Sequence, residues 1–423
     1  MLLRTGGAVL AARLLQALAN AAVGWLVARE LGPAGQGRYA LTLLLALVGA
    51  AVANGGVGLA AVPRLKRHPA QARALLSSQL RWILAVAPAL AAVTAVAWSL
   101  GLADVLRATA GWTDAWAPAA ALIGAAALLL FDVVVQDLTA LGRVPTGPRI
   151  NLLRAVLHLG LAALLAALGR LDLPRALAVW AGAQAVAAVL ALRALGRAAP
   201  AADAAVDRPA ARTLAREGWL GQLSSLASLL HLRLDLALVA AWHGPAVVGV
   251  YSVAVLAGEV LWMLPGALQP VLIATSGGDG GDRLTARAVR LGLAVTAAAA
   301  LVLAWAGPWL LHRLFAGEYD ASAAALRALL PGIVAFAPGA VLAGDFIGRG
   351  RAVWNTQASL ITVLVNVAAG VAWIPAHGAV GAAWASSAAY AAGSAVMLLR
   401  FRRASGLGWA ALLAPCVADL HGA

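Results

Sequence analysis

The sequence GPAGQGRY at residues 32–39 recurs as GPAVVGVY at residues 244–251, at an offset of 212. Glycine, proline, alanine, glycine and tyrosine occupy the same places in both copies. A weaker echo joins LGR at residues 141–143 to IGR at residues 347–349. Because both echoes fall at equivalent places in the two halves, they predict an internal duplication.

The composition around these repeats is that of a membrane protein. Hydrophobic residues make up 63% of the 423 residues and charged residues only 11%. A soluble domain is about half apolar and about a quarter charged. So few charges cannot solvate the surface of a soluble protein of this size, so most of the surface must contact lipid.

Apolar stretches long enough for a membrane helix, about 20 residues each, occur twelve times. They cover residues 8–28, 39–62, 82–102, 117–138, 150–168, 176–192, 219–241, 246–273, 291–311, 321–344, 354–374 and 379–399. We therefore predict an all-α integral membrane protein of about 12 transmembrane helices in two six-helix lobes. Since six is even, both lobes insert the same way up, related by a pseudo-two-fold axis along the membrane normal.

The longest polar stretch divides the two sets of spans. The predicted organisation is an N-terminal lobe at residues 1–195, a cytoplasmic linker at 196–218, a C-terminal lobe at 219–403 and a short tail at 404–423. Arg13 interrupts the first apolar run, which then continues past the length of a signal peptide core. We therefore predict that the first span is retained rather than cleaved.

Arginine and lysine are concentrated in alternate connecting segments. With a cytoplasmic N-terminus, 22 of the 31 lie in cytoplasmic segments and span edges, six on the other side and three within spans. Cytoplasmic loops of membrane proteins are enriched in these residues. We therefore predict cytoplasmic N- and C-termini, and the net charge of +14 requires no nucleic-acid partner.

Polar side chains inside the predicted spans recur at helical spacing. Charged groups within a membrane are costly and usually face a bundle interior or a watery cavity. The candidates for lining a substrate cavity are Arg13, Gln16, Asn20, Arg154 and Arg233, and the candidates for binding a coupling ion are Asp132, Asp235 and Glu259.

Structural roles compete with these functional ones. Hydroxyl and amide stripes often hydrogen-bond packed membrane helices, and a buried ion pair is the alternative for the charged groups. Arg233 and Asp235 are two residues apart, about 200° around a helix, so they cannot face one cavity. One of them is expected to pair with a neighbouring helix.

Enzymatic motifs are absent from the sequence. No phosphate-binding loop of the G-x-x-x-x-G-K-[ST] type, no H-E-x-x-H motif and no cysteine pair occurs, since Cys416 is the single cysteine. ATP hydrolysis on this chain is not indicated. We predict that the chain is not an enzyme and that it uses no cofactor or metal.

Several short motifs resemble those of polysaccharide and oligosaccharide flippases in the multidrug/oligosaccharidyl-lipid/polysaccharide (MOP) exporter superfamily. Their order and spacing carry the resemblance, which covers essentially the whole chain. They are ARELGP at 28–33, RLD at 233–235, VGVYSVA at 248–254, LP at 264–265, QP at 269–270, IP at 374–375 and GAVGAAWA at 378–385.

The resemblance implies two lobes that open alternately to each side of the bacterial inner membrane. It implies export of an undecaprenyl-diphosphate-linked oligosaccharide for surface polysaccharide biosynthesis. The implied partners are this lipid-linked substrate, membrane lipid and polysaccharide assembly proteins. The chain departs from the family in being rich in alanine and in having Lys66 as its only lysine.

Two other functions remain open at this point. Cation-coupled multidrug exporters of the same superfamily commonly place a carboxylate in the first span. This chain has Arg13 there and no Asp or Glu, which favours an anionic substrate. A non-transporting membrane scaffold is the third possibility, but it would not need ionisable groups deep in both lobes.

Overall fold

A computed structural model describes residues 2–97, 116–199, 211–275 and 280–414. Within these residues all regular secondary structure is helical. The helices are α1 Leu2–Asn54, α2 Val57–Arg67, α3 Ala72–Ala97, α4 Trp116–Ala140, α5 Thr146–Ala167, α6 Leu173–Ala198, α7 Ala211–Glu259, α8 Met263–Gly266, α9 Gln269–Thr275, α10 Gly281–Phe315, α11 Ser322–Gly348, α12 Val353–Ser405 and α13 Trp409–Leu413.

Eight helices in the described residues are long and apolar enough to cross a membrane. Three of them, α1, α7 and α12, contain a kink at a single non-helical glycine. Each kink separates two of the predicted spans. The 26-residue α3 provides a further helix of spanning length, although its predicted window extends beyond the described residues. The all-α, multi-pass membrane fold is therefore confirmed.

The duplicated GP sequences adopt nearly the same backbone turn. Gly32 has φ 65° and ψ 179°, and Gly244 has φ 74° and ψ −177°. Glycine adopts a positive φ without the steric cost that a side chain imposes. The proline that follows each glycine lacks the amide hydrogen that would continue the helix. The two copies are thus equivalent in local structure as well as in sequence.

The eighth predicted span, residues 246–273, is broken rather than continuous. α7 ends at Glu259, a 3₁₀ turn covers Val260–Trp262, and the short helices α8 and α9 follow. Pro265 and Pro270 lie in this stretch, and each removes a backbone donor from the helical ladder. Gln269 begins the helix that follows the break.

The chain forms two compact units, Met1–Leu226 and Ala227–Ala423. In the first unit α4 packs against α6, and α1 packs against α5. The first turns of α7 belong to this unit: Arg64 forms a 2.6 Å ion pair with Glu217, and Gln222 donates a hydrogen bond to the Ala51 carbonyl.

In the second unit α11 packs closely on both α10 and α12. The Ser387 hydroxyl of α12 contacts two backbone groups of α11 that lie one helical turn apart. It donates to the Ala328 carbonyl at 2.7 Å and accepts from the Gly332 amide at 3.2 Å. Seven residues later, the Gly339 amide donates to Ser394 Oγ at 3.0 Å. Glycine on one helix and serine on the other allow this close approach.

Candidate functional site

A buried carboxylate, Asp235, is the centre of a polar network in the second unit. Its side chain is 2% exposed. Oδ2 accepts hydrogen bonds from the Tyr251 hydroxyl and from Ser386 Oγ, the latter at 2.9 Å, while Oδ1 accepts from the Leu236 amide at 2.8 Å. Asn366 Nδ2 in turn donates to Ser386 Oγ at 3.2 Å. A buried carboxylate is tolerated only with such partners.

The kink at Gly244 makes this network possible. Asp235 and Tyr251 are 16 residues apart in one helical element, a separation of about 24 Å along a straight helix. Because α7 bends at Gly244, its two segments pack side by side and the two side chains meet. The kink in the repeated GP sequence therefore places Tyr251 next to Asp235.

Arg233 and Glu259 also meet across this kink. Arg233 Nη1 lies 2.6 Å from Glu259 Oε1, and both side chains are partly exposed. Asp235, two residues from Arg233, bonds to different partners, as expected for opposite helix faces. The structure thus joins one predicted cavity cation to one predicted ion-coupling carboxylate.

The first unit has a related polar cluster around Tyr39, the repeat partner of Tyr251. The Tyr39 hydroxyl and His158 Nε2 lie 3.4 Å apart, and both residues are buried. Arg154, one turn before His158, donates from Nε to Asn151 Oδ1 at 3.1 Å. Its charge also interacts with Tyr39 and with Asp132. Arg154 and Asp132 therefore influence each other electrostatically, although no ion pair joins them in the described residues.

Arg13 differs from Arg233 in its surroundings. Arg13 and Asn20 are exposed on α1 and Gln16 is half-buried. No carboxylate in the described residues forms an ion pair with Arg13, whereas Arg233 is neutralised by Glu259. The salt bridge to Asp132, which would have given Arg13 a purely structural role, is not formed. These three predicted residues remain together on one face.

A cavity of about 200 Å³ with a mixed polar and apolar lining lies within the second unit. Hydroxyl, amide and imidazole groups from three helices line part of it, and apolar groups of α11 and α12 line the rest. The polar stripes on α7 and α12 that the sequence spacing indicates converge here, together with Gln269 of α9. The polar lining residues are Ser228, His231, Gln269, Asn355, Ser359, Thr362 and Ser394.

Two buried carboxylates were not among the sequence candidates. Asp137 of α4 is fully buried and accepts a 3.2 Å hydrogen bond from Gln79 Nε2 of α3. Asp345 accepts from Thr285 Oγ1 at 2.7 Å and from Arg349 Nε at 2.9 Å. Both lie in the last turns of their spans, where sequence alone does not separate a buried carboxylate from one that reaches water.

Arg349 joins Asp345 to α10 through a second ion pair of 2.7 Å with Asp282. Its guanidinium also lies 5.7 Å from the centre of the Phe401 ring. Arginine suits this position because its planar group can bind two carboxylates and stack on an aromatic face. The cluster ties α10, α11 and α12 together at one end of the second unit.

Known structures share this fold. An inward-facing multidrug resistance MATE family transporter of the MOP superfamily matches with a TM-score of 0.68 and 15% identity, over 92% of this chain and 94% of that one. The lipid II flippase MurJ, in an inward closed conformation, matches with a TM-score of 0.72 and 11% identity, over 94% and 87%.

A third similar structure is a MOP superfamily transporter from Pyrococcus furiosus Vc1, described as having a binding pocket of reverse polarity. It matches with a TM-score of 0.62 and 15% identity, over 96% of this chain and 95% of that one. No protein-family model and no curated protein sequence matches the chain. The chain is therefore a multi-pass membrane protein with the fold of MOP superfamily transporters.

Proposed function

We propose that the chain is a flippase that moves a lipid-linked oligosaccharide, carried on undecaprenyl diphosphate, across the bacterial inner membrane for surface polysaccharide biosynthesis. Its N- and C-termini are then cytoplasmic. The observation that carries the proposal is Arg13, a cation within the first span that has no carboxylate partner in the described residues. The flippase named among the structures of the same fold is consistent with a lipid-linked substrate.

The charge of Arg13 needs compensation. Insertion of an arginine at the centre of a membrane helix costs about 2.5–3.5 kcal/mol. A diphosphate compensates this cost through charge-assisted hydrogen bonds, which are stronger than bonds between neutral groups. Gln16 and Asn20, on the same face, offer neutral groups of the kind that bind sugar hydroxyls. Arg233 is less suited to this role, because Glu259 already neutralises it.

A multidrug exporter of the same fold is the alternative. Cationic drugs require a negative binding face, and the first predicted span, residues 8–28, presents Arg13 with no acidic residue. The charge on this face thus favours an anionic substrate. Export of a cationic dye by the purified protein, with no movement of lipid-linked sugar, would instead support the drug exporter.

Asp235 is the preferred candidate for the coupling cation. It is a buried carboxylate that accepts hydrogen bonds from Tyr251 and Ser386. Asn366 donates to Ser386, and its Oδ1 atom has no hydrogen-bond partner in the described residues. Asp235→Asn keeps the shape and removes the charge. It should abolish the dependence of transport on a cation gradient, while an unaltered dependence would exclude this role.

The test of the substrate is Arg13→Ala in proteoliposomes that contain a fluorescent lipid-linked oligosaccharide. Translocation should fall at least tenfold while the melting temperature stays nearly unchanged, because Arg13 holds no carboxylate of the described residues in place. Arg13→Lys should retain part of the activity, since an ammonium binds phosphate as a point charge. Arg197→Ala removes an exposed cation at the end of α6 and is the matched control. Full activity in a stable Arg13→Ala protein would refute the proposal.

A further inference from the structure

Two arginines meet on one tryptophan at the end of the second unit where α11 stops and α12 starts. The Cζ atom of Arg351 lies 4.8 Å from the centre of the Trp354 ring, and the Cζ atom of Arg400 lies 5.8 Å from it. Because α12 is kinked at Gly378, its last turns return to its first turn. We refer to Arg351, Trp354 and Arg400 as the arginine–tryptophan site.

The indole of this site is held in place by the protein. Phe346 of α11, which is 1% exposed, packs edge-on against Trp354 with the ring centroids 5.0 Å apart. Trp354 also packs against the buried cluster that contains Ala358 and Phe401. The aromatic surface on which the two arginines lie is therefore formed without a ligand.

Neither arginine of the site is neutralised by a carboxylate. Arg349, two residues earlier in the chain, forms ion pairs with Asp282 and Asp345. In the part of the chain that the structure describes, no carboxylate forms such a pair with Arg351, which is exposed, or with Arg400, which is half-buried. A guanidinium group that stacks on a ring keeps its N–H donors in its own plane, in the fork that matches phosphate oxygen atoms. The two cations therefore favour a phosphate group.

The site lies at the boundary of two predicted spans. Trp354 is the first residue of the span predicted at 354–374, and Arg400 directly follows the span predicted at 379–399. Tryptophan and arginine are typical of the level at which a membrane helix meets the lipid headgroups. The phosphate of a phospholipid lies at the same level, so a membrane lipid presents the required group in place.

An exposed apolar ridge runs along α12 from this site. It begins at Val353, between Arg351 and Trp354 in the chain, and its spacing of three, four and seven residues places its members on one helix face. They are Val353, Leu360, Leu364, Val367 and Val371, all of them exposed. From Val353 to Leu364 the ridge is about 16 Å long, about half of the hydrocarbon core of a bilayer. It therefore matches the length of an acyl chain in one leaflet.

We propose that the arginine–tryptophan site binds an anionic phospholipid, with the phosphate between the guanidinium groups of Arg351 and Arg400 and an acyl chain along the apolar ridge. A zwitterionic lipid carries an ammonium group next to its phosphate, which the two arginines repel. The site therefore prefers the anionic lipid. This inference does not depend on the identity of the transported substrate, because all three residues belong to the second unit and none is a proposed substrate ligand.

The first test measures the lipid preference at the site. In a Cys416→Ser background, Val353→Cys is labelled with a fluorophore and the protein is placed in phosphatidylcholine nanodiscs. A small fraction of phosphatidylglycerol or of phosphatidylcholine carries a nitroxide that quenches the fluorophore. The association constant from quenching should favour phosphatidylglycerol by about tenfold or more, since each arginine contributes to attraction of an anionic lipid.

Leu301→Cys, exposed on α10, is the matched control for the labelled position. It should show no such preference, because no arginine lies within a turn of it in the sequence. Equal association of the two lipids at Val353→Cys would overturn the inference, as would the same preference at both positions.

The second test assigns the preference to the two arginines. Arg351→Gln combined with Arg400→Gln should abolish it. Arg402→Gln combined with Arg403→Gln removes the same charge from exposed positions at the same end of α12 and should leave the preference in place. An equal loss in both double variants would show a diffuse attraction and contradict a defined site.

Two further measurements keep the test independent of folding of the double variant. Arg351→Gln alone changes an exposed residue between α11 and α12 and should lower the preference about threefold or more; an unaltered preference would count against the site. Excess inorganic phosphate should leave quenching by phosphatidylglycerol unchanged in the protein with both arginines, because free phosphate has no acyl chain. Displacement of the lipid would instead identify a site for soluble phosphate and overturn the proposal.

Discussion

Tyr39 and Tyr251 occupy equivalent positions of the duplicated motif, but their hydrogen-bond partners differ. Tyr251 donates a hydrogen bond to a buried carboxylate, Asp235, whereas the Tyr39 hydroxyl lies 3.4 Å from the imidazole ring of His158. Bonds to a charged group contribute about 1.5–3 kcal/mol, and bonds between neutral groups about 0.5–1.5 kcal/mol. The duplication therefore explains why both positions are tyrosine. The hydrogen-bond partner determines how much each tyrosine stabilises the protein.

Removal of the two hydroxyl groups should reveal this difference. Tyr251→Phe leaves Asp235 with fewer donors and is expected to lower the free energy of unfolding by about 1.5–3 kcal/mol, against about 0.5–1.5 kcal/mol for Tyr39→Phe. Reversible unfolding in detergent measures both. Equal losses in the two variants would indicate that Tyr251 is not a principal donor to Asp235.

Elements of the second unit depend on small residues at their contacts. A Cβ atom at Gly332 would lie 2.2 Å from the Ser387 Cα atom, which is backbone and cannot move aside. At Gly182, within α6, a Cβ atom would meet nothing within 4 Å. A close helix contact therefore requires glycine at position 332, whereas no contact requires it at position 182.

Alanine substitutions at these glycines should differ in sign. Gly332→Ala overpacks the α11–α12 contact and should destabilise the protein by about 1–3 kcal/mol. Gly182→Ala should be neutral or stabilising by up to about 1 kcal/mol, because alanine has the higher helix propensity. Thermal unfolding of both variants is the measurement. A tolerated Gly332→Ala would mean that α11 and α12 are further apart than described.

Over the whole molecule, the duplicated turns test the topology. With the predicted cytoplasmic N-terminus, two sets of six spans would place both GP turns on the non-cytoplasmic side. Ala34 and Ala246 are exposed within these turns. The opposite side carries the predicted linker at residues 196–218. The side of the membrane on which each GP turn lies therefore tests how the two halves are related.

Labelling of single cysteines in the Cys416→Ser background determines the side on which each turn lies. Ala34→Cys, Ala246→Cys and Ala376→Cys should be labelled by an impermeant maleimide from outside intact cells, and Ala205→Cys only after the membrane is permeabilised. The positive charge on the linker side is the physical reason. Opposite sidedness of Ala34→Cys and Ala246→Cys would exclude a parallel duplication.

Sequence patterns located the membrane helices, because hydrophobic length is a local property that each span carries in its own residues. The GP repeat likewise indicated equivalent positions in both halves, and the glycine conformations of the structure agree with this. The break in the eighth span was not predicted, because its window is apolar enough for a continuous span and the prolines act through the backbone.

The polar stripes on residues 224–235 and 355–366 could be predicted by spacing, and the middle of the first stripe and most of the second line one cavity. The sequence alone determined a duplicated, multi-pass helical protein, its candidate charged residues and an expected orientation. Only the tertiary structure decided which charges are paired: Arg233 with Glu259 across a kink, Asp235 with Tyr251 and Ser386, and Arg13 with no carboxylate in the described residues. Pairing depends on side chains that are distant along the chain, whereas burial in lipid depends on the residues of each helix.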